Sequence, residues 1–279
     1  MTLLQAILAG IIQGITEFLP VSSSGHLVIF HALFGEGEES NLAFTIFLHL
    51  ATLLSVFIMF RKDVWTLIRE FFSAIADCFR GKPNFKTPER RFLIMVLIGS
   101  IPAAVLGVAM VATGFDDILE NIFVVAVMLL FTAGLMYLVD KFNKGRYTEK
   151  DAPLKAAWIV GISQAVALLP GLSRSGTTIF GGLLAGLSKE FAVRFSFILS
   201  IPTILGASLV MIARVVRDPY SISIEPLYWL VGFVVAFFCG IFAIKFIKVL
   251  ISSSKFYIFS IYCVLASILA FLVGFGVIG

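Results

Sequence analysis

The chain has 279 residues and a net charge of +4, but only 14% of its residues are charged and 59% are hydrophobic, with a mean hydropathy of +1.04. A soluble domain carries about a quarter of its residues as charged groups, because water must solvate its surface. The composition therefore excludes a soluble protein. It predicts an all-α integral membrane protein that faces membrane lipids and binds no nucleic acid.

Apolar segments follow one another along the chain, and six are long enough to cross a membrane core about 30 Å thick as one helix of about 20 residues. Two others, 3–34 and 154–187, are each interrupted in the middle by Pro, Gly and a cluster of Ser, which predicts two half-length helices around a loop. The six predicted transmembrane helices lie near 42–60, 92–112, 122–140, 191–213, 227–247 and 256–278.

The interrupted segments, 3–34 and 154–187, are candidate elements of a functional site. Backbone groups freed by a break are tolerated at membrane depth only where they are buried in protein or line a watery cavity. We therefore interpret each segment as a re-entrant hairpin, a helix-loop-helix that enters and leaves the membrane on the same side. A Pro-kinked helix that crosses the membrane is the alternative interpretation.

An internal repeat relates the two halves of the chain at an offset of 151 residues. It pairs Gly10 with Gly161, Gln13 with Gln164, and the Ser-x-Ser-Gly segments at 22–25 and 173–176. Each half holds one hairpin and three spans, and this odd number of crossings predicts that the second half is inverted relative to the first. We predict a single membrane domain, 1–279, built from inverted repeats at 1–140 and 154–279.

Basic residues predict which loops are cytoplasmic, because Lys and Arg accumulate on that side of a membrane protein. Loops 61–91, 141–155 and 245–255 contain eight, five and three Lys or Arg residues, whereas 35–41 and 113–121 contain none. We expect the three basic loops to be cytoplasmic in a multi-pass protein of the cell membrane. The first hairpin would then enter from outside and the second from the cytoplasm, so that their tips meet near the membrane midplane.

Polar residues of the hairpins are concentrated at the two tips, EFLPVSSSGH at 17–26 and LPGLSRSGTT at 169–178. Ionisable groups are costly at membrane depth, so Glu17, His26 and Arg174 indicate a functional site. The planar Arg174 guanidinium suits bidentate phosphate binding, and half-helix N-termini add backbone donors for the same anion. The hydroxyls that complete this predicted oxyanion site belong to Ser173, Ser175, Thr177 and Thr178, with Ser22 and Ser24 in the other tip.

Ser23 and His26 are three residues apart, which places them on one face if the segment is helical, so that the imidazole could help to deprotonate the hydroxyl. Glu17 is predicted to act as a base or as a magnesium ligand. The set matches a diphosphate, whose hydrolysis requires charge neutralisation and an aligned nucleophile. Two structural interpretations stay open: hydroxyls bonded back to helix carbonyls, and a Glu–Arg pair that only joins the hairpins. His31 and His49 are expected to serve packing or local hydrogen bonds.

The segments ITEFLPVSSSGH at 15–26 and PGLSRSGTT at 170–178 closely resemble the two signature motifs of bacterial undecaprenyl-diphosphate phosphatases of the bacitracin-resistance type. The resemblance extends over the whole chain, through its length, paired hairpins, spans and order of basic loops. It implies hydrolysis of undecaprenyl diphosphate to undecaprenyl phosphate and inorganic phosphate, at a site open to the outer face. The family's reaction recycles the lipid carrier for peptidoglycan synthesis and confers bacitracin resistance.

The resemblance also implies roles for individual residues. Glu17, Ser23, His26 and Arg174 would be catalytic, with Ser23 as the candidate nucleophile and His26 as the proton-transfer residue. A divalent cation, Mg²⁺ or Ca²⁺, would assist at Glu17. Gln13 stands where the family has an acidic residue or Gln, so a second carboxylate ligand is missing there. We assign substrate binding to Gln13, Ser22, Ser24, Ser173, Ser175, Thr177 and Thr178.

Two other functions match parts of the pattern. Another class of membrane phosphatases also uses Ser-Gly-His and Ser-Arg segments, but it expects a His six residues after its Arg, where this chain has Phe180. A transporter of polyprenyl phosphate remains as an alternative, because inverted repeats with broken helices at the midplane are common in carriers. Whether the chain forms a homodimer stays open.

Overall fold

A computed structural model describes residues 1–34, 38–81, 87–113, 121–142, 145–217, 225–253 and 255–278. These ranges are helical and contain no strand, apart from an isolated bridge between Tyr147 and Leu187. The predicted all-α class is therefore confirmed. The helices are α1 (Leu3–Thr16), α2 (Ser23–Phe34), α3 (Glu38–Met59), α4 (Arg61–Phe79), α5 (Pro88–Thr113), α6 (Ile122–Val139), α7 (Leu154–Val166), α8 (Arg174–Leu184), α9 (Lys189–Arg217), α10 (Pro226–Ser253) and α11 (Tyr257–Gly274).

Five of the described helices, α5, α6, α9, α10 and α11, are long and apolar enough to cross a membrane. Helices α3 and α4 meet the same criterion together, although they are bent by 89° between Met59 and Arg61, which brings the total to as many as six. The predicted span 42–60 corresponds to α3. The chain is thus a multi-pass membrane protein.

Helix α4 lies inside the segment that the sequence analysis treated as a basic loop. None of its residues is buried, and Trp65, Phe72 and Phe79 are exposed. Hydropathy did not reveal this helix, because its apolar residues alternate with charged ones and the segment is not apolar as a whole. Arg90 at the start of α5 holds α4 in place by donating to Glu70, Ser73 and Asp77 at 2.9, 3.0 and 3.2 Å.

The two interrupted segments each form a pair of short helices, α1 with α2 and α7 with α8. Helix α1 of the first half of the chain packs against α10 of the second half. Helix α7 of the second half packs against α5 of the first half. Glycines make both approaches possible: a Cβ at Gly10 would lie 2.7 Å from the Gly232 carbonyl oxygen, and one at Gly161 would lie 2.6 Å from that of Gly99. The inverted orientation of residues 1–140 and 154–279 stays a prediction.

The α5–α7 contact yields the first testable prediction. Gly161→Ala should destabilise the fold by about 1–3 kcal/mol, because the added methyl group forces two backbones apart despite the higher helix propensity of alanine. The measurement is thermal unfolding of the purified protein in detergent. Gly134→Ala in α6 is the matched control, since its Cβ would meet nothing within 4 Å. Equal melting temperatures for the two variants would contradict the packing described.

Candidate active site

The tips of the two broken segments are built in the same way. Ser22 accepts a hydrogen bond at its hydroxyl from the Gly25 amide at 3.2 Å, and Ser173 accepts one from the Gly176 amide at 3.1 Å. Each serine therefore caps the half-helix that follows it, and the two caps are separated by the 151-residue offset of the sequence repeat. The first turns of α2 and α8 consequently begin at equivalent positions in the two tips.

Helix α6 and the first tip hold the second tip in place. The Thr132 hydroxyl of α6 accepts from the Ser173 amide at 3.0 Å and donates to the Gly171 carbonyl at 3.2 Å. The Ser175 hydroxyl donates to the Leu19 carbonyl at 3.2 Å, which joins the two tips directly. Thr132 was not identified from the sequence. The available signal was one hydroxyl in an otherwise apolar span, which does not reveal its partner.

Glu17 is the centre of the site. One carboxylate oxygen accepts from Arg174 Nη2 at 2.5 Å, and the other accepts from the Ser23 hydroxyl at 2.7 Å and the Gln13 amide at 3.0 Å. Four residues predicted from the sequence are therefore in direct contact around one buried carboxylate. The Ser23 proton points at Glu17, which leaves the oxygen lone pairs of Ser23 free and gives the hydroxyl a base in contact.

His26 does not contact Ser23 in this arrangement. Its Nδ1 bonds to the Ser22 carbonyl at 2.7 Å, and its Nε2 bonds to the Tyr262 hydroxyl of α11 at 2.8 Å, with the two rings stacked. A carbonyl only accepts, so Nδ1 carries the proton and neutral His26 accepts at Nε2 from Tyr262. Glu17, not His26, is therefore the base positioned at Ser23. A proton-transfer role for His26 stays a prediction.

His49 belongs to the site, although the sequence analysis expected it to serve packing or a local hydrogen bond. It makes the local bond, from Nδ1 to the Thr45 carbonyl at 2.8 Å, and its Nε2 also lies 3.5 Å from the Glu17 carboxylate. A protonated His49 would form a second ion pair with Glu17, whereas a neutral one presents a lone pair there. The sequence signal was weak: in the repeat His49 is aligned with Ser200, which marks a polar position but no partner.

These groups surround a cavity of about 220 Å³. Its walls come from both tips and from the middle of α3 and α9, so the site combines both halves of the chain. Its polar lining consists of Thr16, Glu17, Ser23, Ser24, His49, Ser173, Arg174, Ser175, Thr203 and Ser208. Its apolar lining consists of Ile46, Ala167, Leu168, Leu172, Ile204 and Ala207.

Arg174 contributes a donor that no described residue satisfies. Its Nη2 bonds to Glu17, but its Nη1 is buried and has no hydrogen-bond partner in the part of the chain that the structure describes. A buried guanidinium N–H left unpaired costs free energy, and a phosphate oxygen is a strong partner for it. The cavity is therefore suited to a ligand that brings an oxyanion.

Several residues predicted to bind substrate form hydrogen bonds within the tips and do not line the cavity. The Thr177 hydroxyl donates to the Ser173 carbonyl and that of Thr178 to the Arg174 carbonyl, both at 2.7 Å, so they follow the back-bonding interpretation left open above. Thr178 also bonds to the Ser196 hydroxyl at 2.6 Å. Ser22 serves as a helix cap. Gln13 reaches the cavity only through Glu17.

The Thr132 contacts generate a second prediction. Thr132→Val keeps the shape of the side chain but leaves the Ser173 amide without its partner, which costs about 1–3 kcal/mol locally. Peptides spanning 169–176 should exchange their amide hydrogens about tenfold faster or more, measured by mass spectrometry. Thr113→Val is the control, because that hydroxyl bonds only within its own helix. Unchanged exchange in Thr132→Val would show that α6 does not hold the tip.

Comparison with known proteins identifies the family. Residues 6–269 match the family described as bacitracin resistance protein BacA. Curated relatives named undecaprenyl-diphosphatase include those of Methanosphaera stadtmanae (39% identical, 96% of each chain covered), Methanobrevibacter smithii (42%, 98% of each) and Alkaliphilus metalliredigens (38%, covering 94% of this chain and 95% of the relative). The motifs at the two tips, the helical membrane fold and these matches agree, and the chain belongs to the BacA family of bacitracin resistance proteins.

Proposed function

We propose that this chain hydrolyses undecaprenyl diphosphate to undecaprenyl phosphate and inorganic phosphate at the cavity between the two tips. The observation that carries the proposal is the buried Nη1 of Arg174, which has no partner among the described residues and belongs to a side chain that lines a cavity with hydroxyls around it. A diphosphate supplies oxygens for that donor. The relatives named undecaprenyl-diphosphatase align with nearly the whole chain, which supports the same substrate.

The lining of the cavity matches both parts of such a lipid. Arg174 and the hydroxyls of Ser24, Ser173 and Ser175 surround the space for the diphosphate. The first turns of α2 and α8 begin there and direct the positive ends of their dipoles toward the anion. The apolar part of the wall faces the first carbons of the polyprenyl chain, which continues into the lipid.

Glu17 and Ser23 supply the chemistry in this proposal. Ser23 attacks the terminal phosphorus while Glu17 accepts the hydroxyl proton; the bond from phosphorus to the bridging oxygen breaks, and undecaprenyl phosphate leaves with that oxygen. Water then hydrolyses the phosphoserine to release inorganic phosphate. Arg174 bonds to Glu17 through Nη2 and offers Nη1 to the substrate, so one guanidinium aligns the base with the phosphoryl group and offsets its growing charge.

A divalent cation, Mg²⁺ or Ca²⁺, is part of the proposal. The described residues contain no cluster of three or more His, Cys, Asp or Glu side chains, so the protein supplies few ligands of its own. Mg²⁺ is commonly held by one or two carboxylates together with substrate phosphates and water, and Glu17 fits that pattern. The buried amide oxygen of Gln13 has no partner in the described structure and is a second candidate metal ligand close to Glu17. The ion would neutralise charge on the diphosphate.

The cavity opens to the outer face in this proposal. Its walls use Ile46 and His49 of α3 and Thr203 and Ser208 of α9, which extend from the middle of these helices toward the start of α3 and the end of α9. The segments 35–41 and 218–225 contain no Lys or Arg. Since basic segments are retained in the cytoplasm, the start of α3, which adjoins the acidic segment 35–41, is assigned to the outside. The end of α9 carries Arg214 and Arg217 and does not add to this assignment.

Arg174 and Glu17 should be indispensable. Arg174→Ala should abolish phosphate release, and Glu17→Gln should lower kcat by about 100-fold or more, because each removes charge stabilisation or proton transfer in the transition state. The measurement is phosphate release from a long-chain polyprenyl diphosphate by the purified protein in detergent. Lys245→Gln is the control, since Lys245 is exposed on α10 and does not line the cavity. Near-normal activity of Arg174→Ala would refute the proposal, and movement of polyprenyl phosphate across vesicles without hydrolysis would favour the transporter.

The variants Ser23→Ala and His26→Ala should differ in whether a phosphoenzyme can be trapped. Ser23→Ala should lower kcat by about 100-fold or more because it removes the nucleophile, and His26→Ala should do so if His26 transfers a proton during the reaction. Only Ser23→Ala should also eliminate the phosphoenzyme that rapid acid quenching traps from a substrate labelled in its terminal phosphate. A trapped phosphoenzyme in Ser23→Ala would exclude this serine as the nucleophile. Tyr262→Phe tests whether the His26 contact to α11 contributes.

Removal of divalent cations should suppress turnover. A chelator should reduce phosphate release to background, and Mg²⁺ or Ca²⁺ should restore it, because one carboxylate and one arginine leave most of the diphosphate charge uncompensated. Glu17→Gln should raise the Mg²⁺ concentration needed for half-maximal activity if Glu17 is a ligand. Full activity after exhaustive chelation would exclude the cation from the reaction.

A further inference from the structure

A second, larger cavity of about 670 Å³ lies where α3 ends, α4 and α9 begin and α10 approaches its end. It shares no lining residue with the candidate active site. We call it the basic cavity, because its six charged lining residues carry a net charge of +2. They are Arg61, Lys62, Arg194 and Lys248 with Asp63 and Glu190.

The Asp63 carboxylate of the basic cavity is already compensated. Both of its oxygens accept from Arg194, at 2.9 and 2.8 Å, and the same guanidinium donates to Glu149 at 2.5 Å. Arg194 and its two acidic partners therefore form a network with a net charge of −1, which does not attract an anionic ligand. The charge available to a ligand comes from the remaining cations.

Arg61, Lys62 and Lys248 are these remaining cations. None of them forms an ion pair with a described residue, and the Lys248 ammonium lies 4.1 Å from the centre of the Phe60 ring. The first turn of α4, a 19-residue helix, contributes Arg61 and Lys62 and has no side-chain cap, so its positive end adds to the same field. Glu190 is the one opposing carboxylate outside the Arg194 network that lines the cavity.

The basic cavity also has an apolar wall, formed by Ile58, Met59, Phe60 and Val193. A free inorganic ion gains nothing from such a wall, whereas an amphiphile buries hydrocarbon there. Cations beside an apolar wall at the end of a membrane-spanning helix therefore match a phosphorylated lipid better than a fully hydrated anion.

The two cavities lie at different depths along the same pair of helices. On α3 the lining residues move from His49 to Ile58, and on α9 from Thr203 to Arg194, which is about 14 Å along each axis at 1.5 Å per residue. Phe197 of α9 lies between these two levels, with its ring centre 5.5 Å from that of Phe18 and 6.0 Å from that of Phe60 in the wall of the basic cavity. All three are buried, so the basic cavity is separate from the active site.

We propose that the basic cavity binds the phosphate group of a phosphorylated lipid at the end of the bundle opposite the opening of the active site. Free phosphate shares the recognised chemistry and is distinguished by experiment. Lys62 and Lys248 contact the phosphate, and the apolar wall contacts the first carbons of the lipid. The inference is independent of the hydrolytic activity, because it uses none of the residues placed in the reaction.

Lysine footprinting of the full chain tests the site. The purified protein in nanodiscs of zwitterionic lipid is acetylated with and without farnesyl phosphate, inorganic phosphate or farnesol, and modification of each lysine is read by mass spectrometry. At a ligand concentration about ten times Kd, labelling of Lys62 and Lys248 should fall about tenfold, whereas Lys245, which is exposed on α10 and does not line the cavity, should be unaffected. Farnesol should protect neither residue.

Variants separate the two cavities. In Arg174→Ala, which disables the active site, protection of Lys62 and Lys248 should persist; in Lys248→Gln, protection of Lys62 should require about tenfold more ligand. Protection by farnesyl phosphate alone identifies a lipid head group, and equal protection by inorganic phosphate identifies a free-anion site. Protection in nanodiscs that contain phosphatidylglycerol, without added ligand, identifies bulk anionic lipid. Absence of protection in every arm, or its loss in Arg174→Ala with the fold intact by thermal unfolding, overturns the proposal.

Discussion

The ion pair between Glu17 and Arg174 connects two tips that are 157 residues apart, and the rest of the site is arranged around it. Glu17 is buried and Arg174 is partly buried, with exposed side-chain fractions of 4% and 16%. Desolvation of two charges is costly, and removal of one partner from such a pair costs about 3–5 kcal/mol because the other charge is left uncompensated. Ser23 and Gln13 donate hydrogen bonds to the second carboxylate oxygen of Glu17. Arg174 keeps one N–H group, at Nη1, without a partner among the described residues. The pair thus joins the two tips and leaves one guanidinium N–H group of Arg174 for the proposed substrate.

Hydroxyl groups at the tips divide into two kinds by the direction of their hydrogen bonds. Ser22 and Ser173 cap the half-helices, and Thr177 and Thr178 bond back to carbonyls of α8. These bonds stabilise the backbone at a break inside an apolar bundle, where every polar group needs a partner. Ser23 is different, because its hydroxyl faces the carboxylate across the tip. One short motif therefore supplies both structural hydroxyls and the hydroxyl that we propose as the nucleophile.

Helices α3 and α9 give the molecule a common wall for two cavities of different character. The candidate active-site cavity is about 220 Å³, and its polar lining consists of hydroxyls, one carboxylate, one histidine and one arginine. The basic cavity is about 670 Å³, and its charged lining consists of four cations and two carboxylates. Phe18, Phe60 and Phe197 occupy the space between them. A closely packed aromatic layer excludes water and ions. The layer therefore keeps water and ions from passing between the two cavities.

The sequence by itself determined the helical membrane class and the two interrupted segments, because hydropathy and breaks are local properties of the chain. The polar groups at membrane depth and the resemblance also singled out Glu17, Ser23 and Arg174, and in the structure Glu17 contacts both of the others. Tertiary structure alone decided the partners of His26 and His49. Ser23 and His26 are three residues apart in α2, and an ideal helix places such residues on one face. In the structure, however, His26 bonds to Tyr262 of α11, whereas Ser23 bonds to Glu17. Residue spacing encodes the faces of one helix, whereas the groups that face each other across helices depend on how the helices pack.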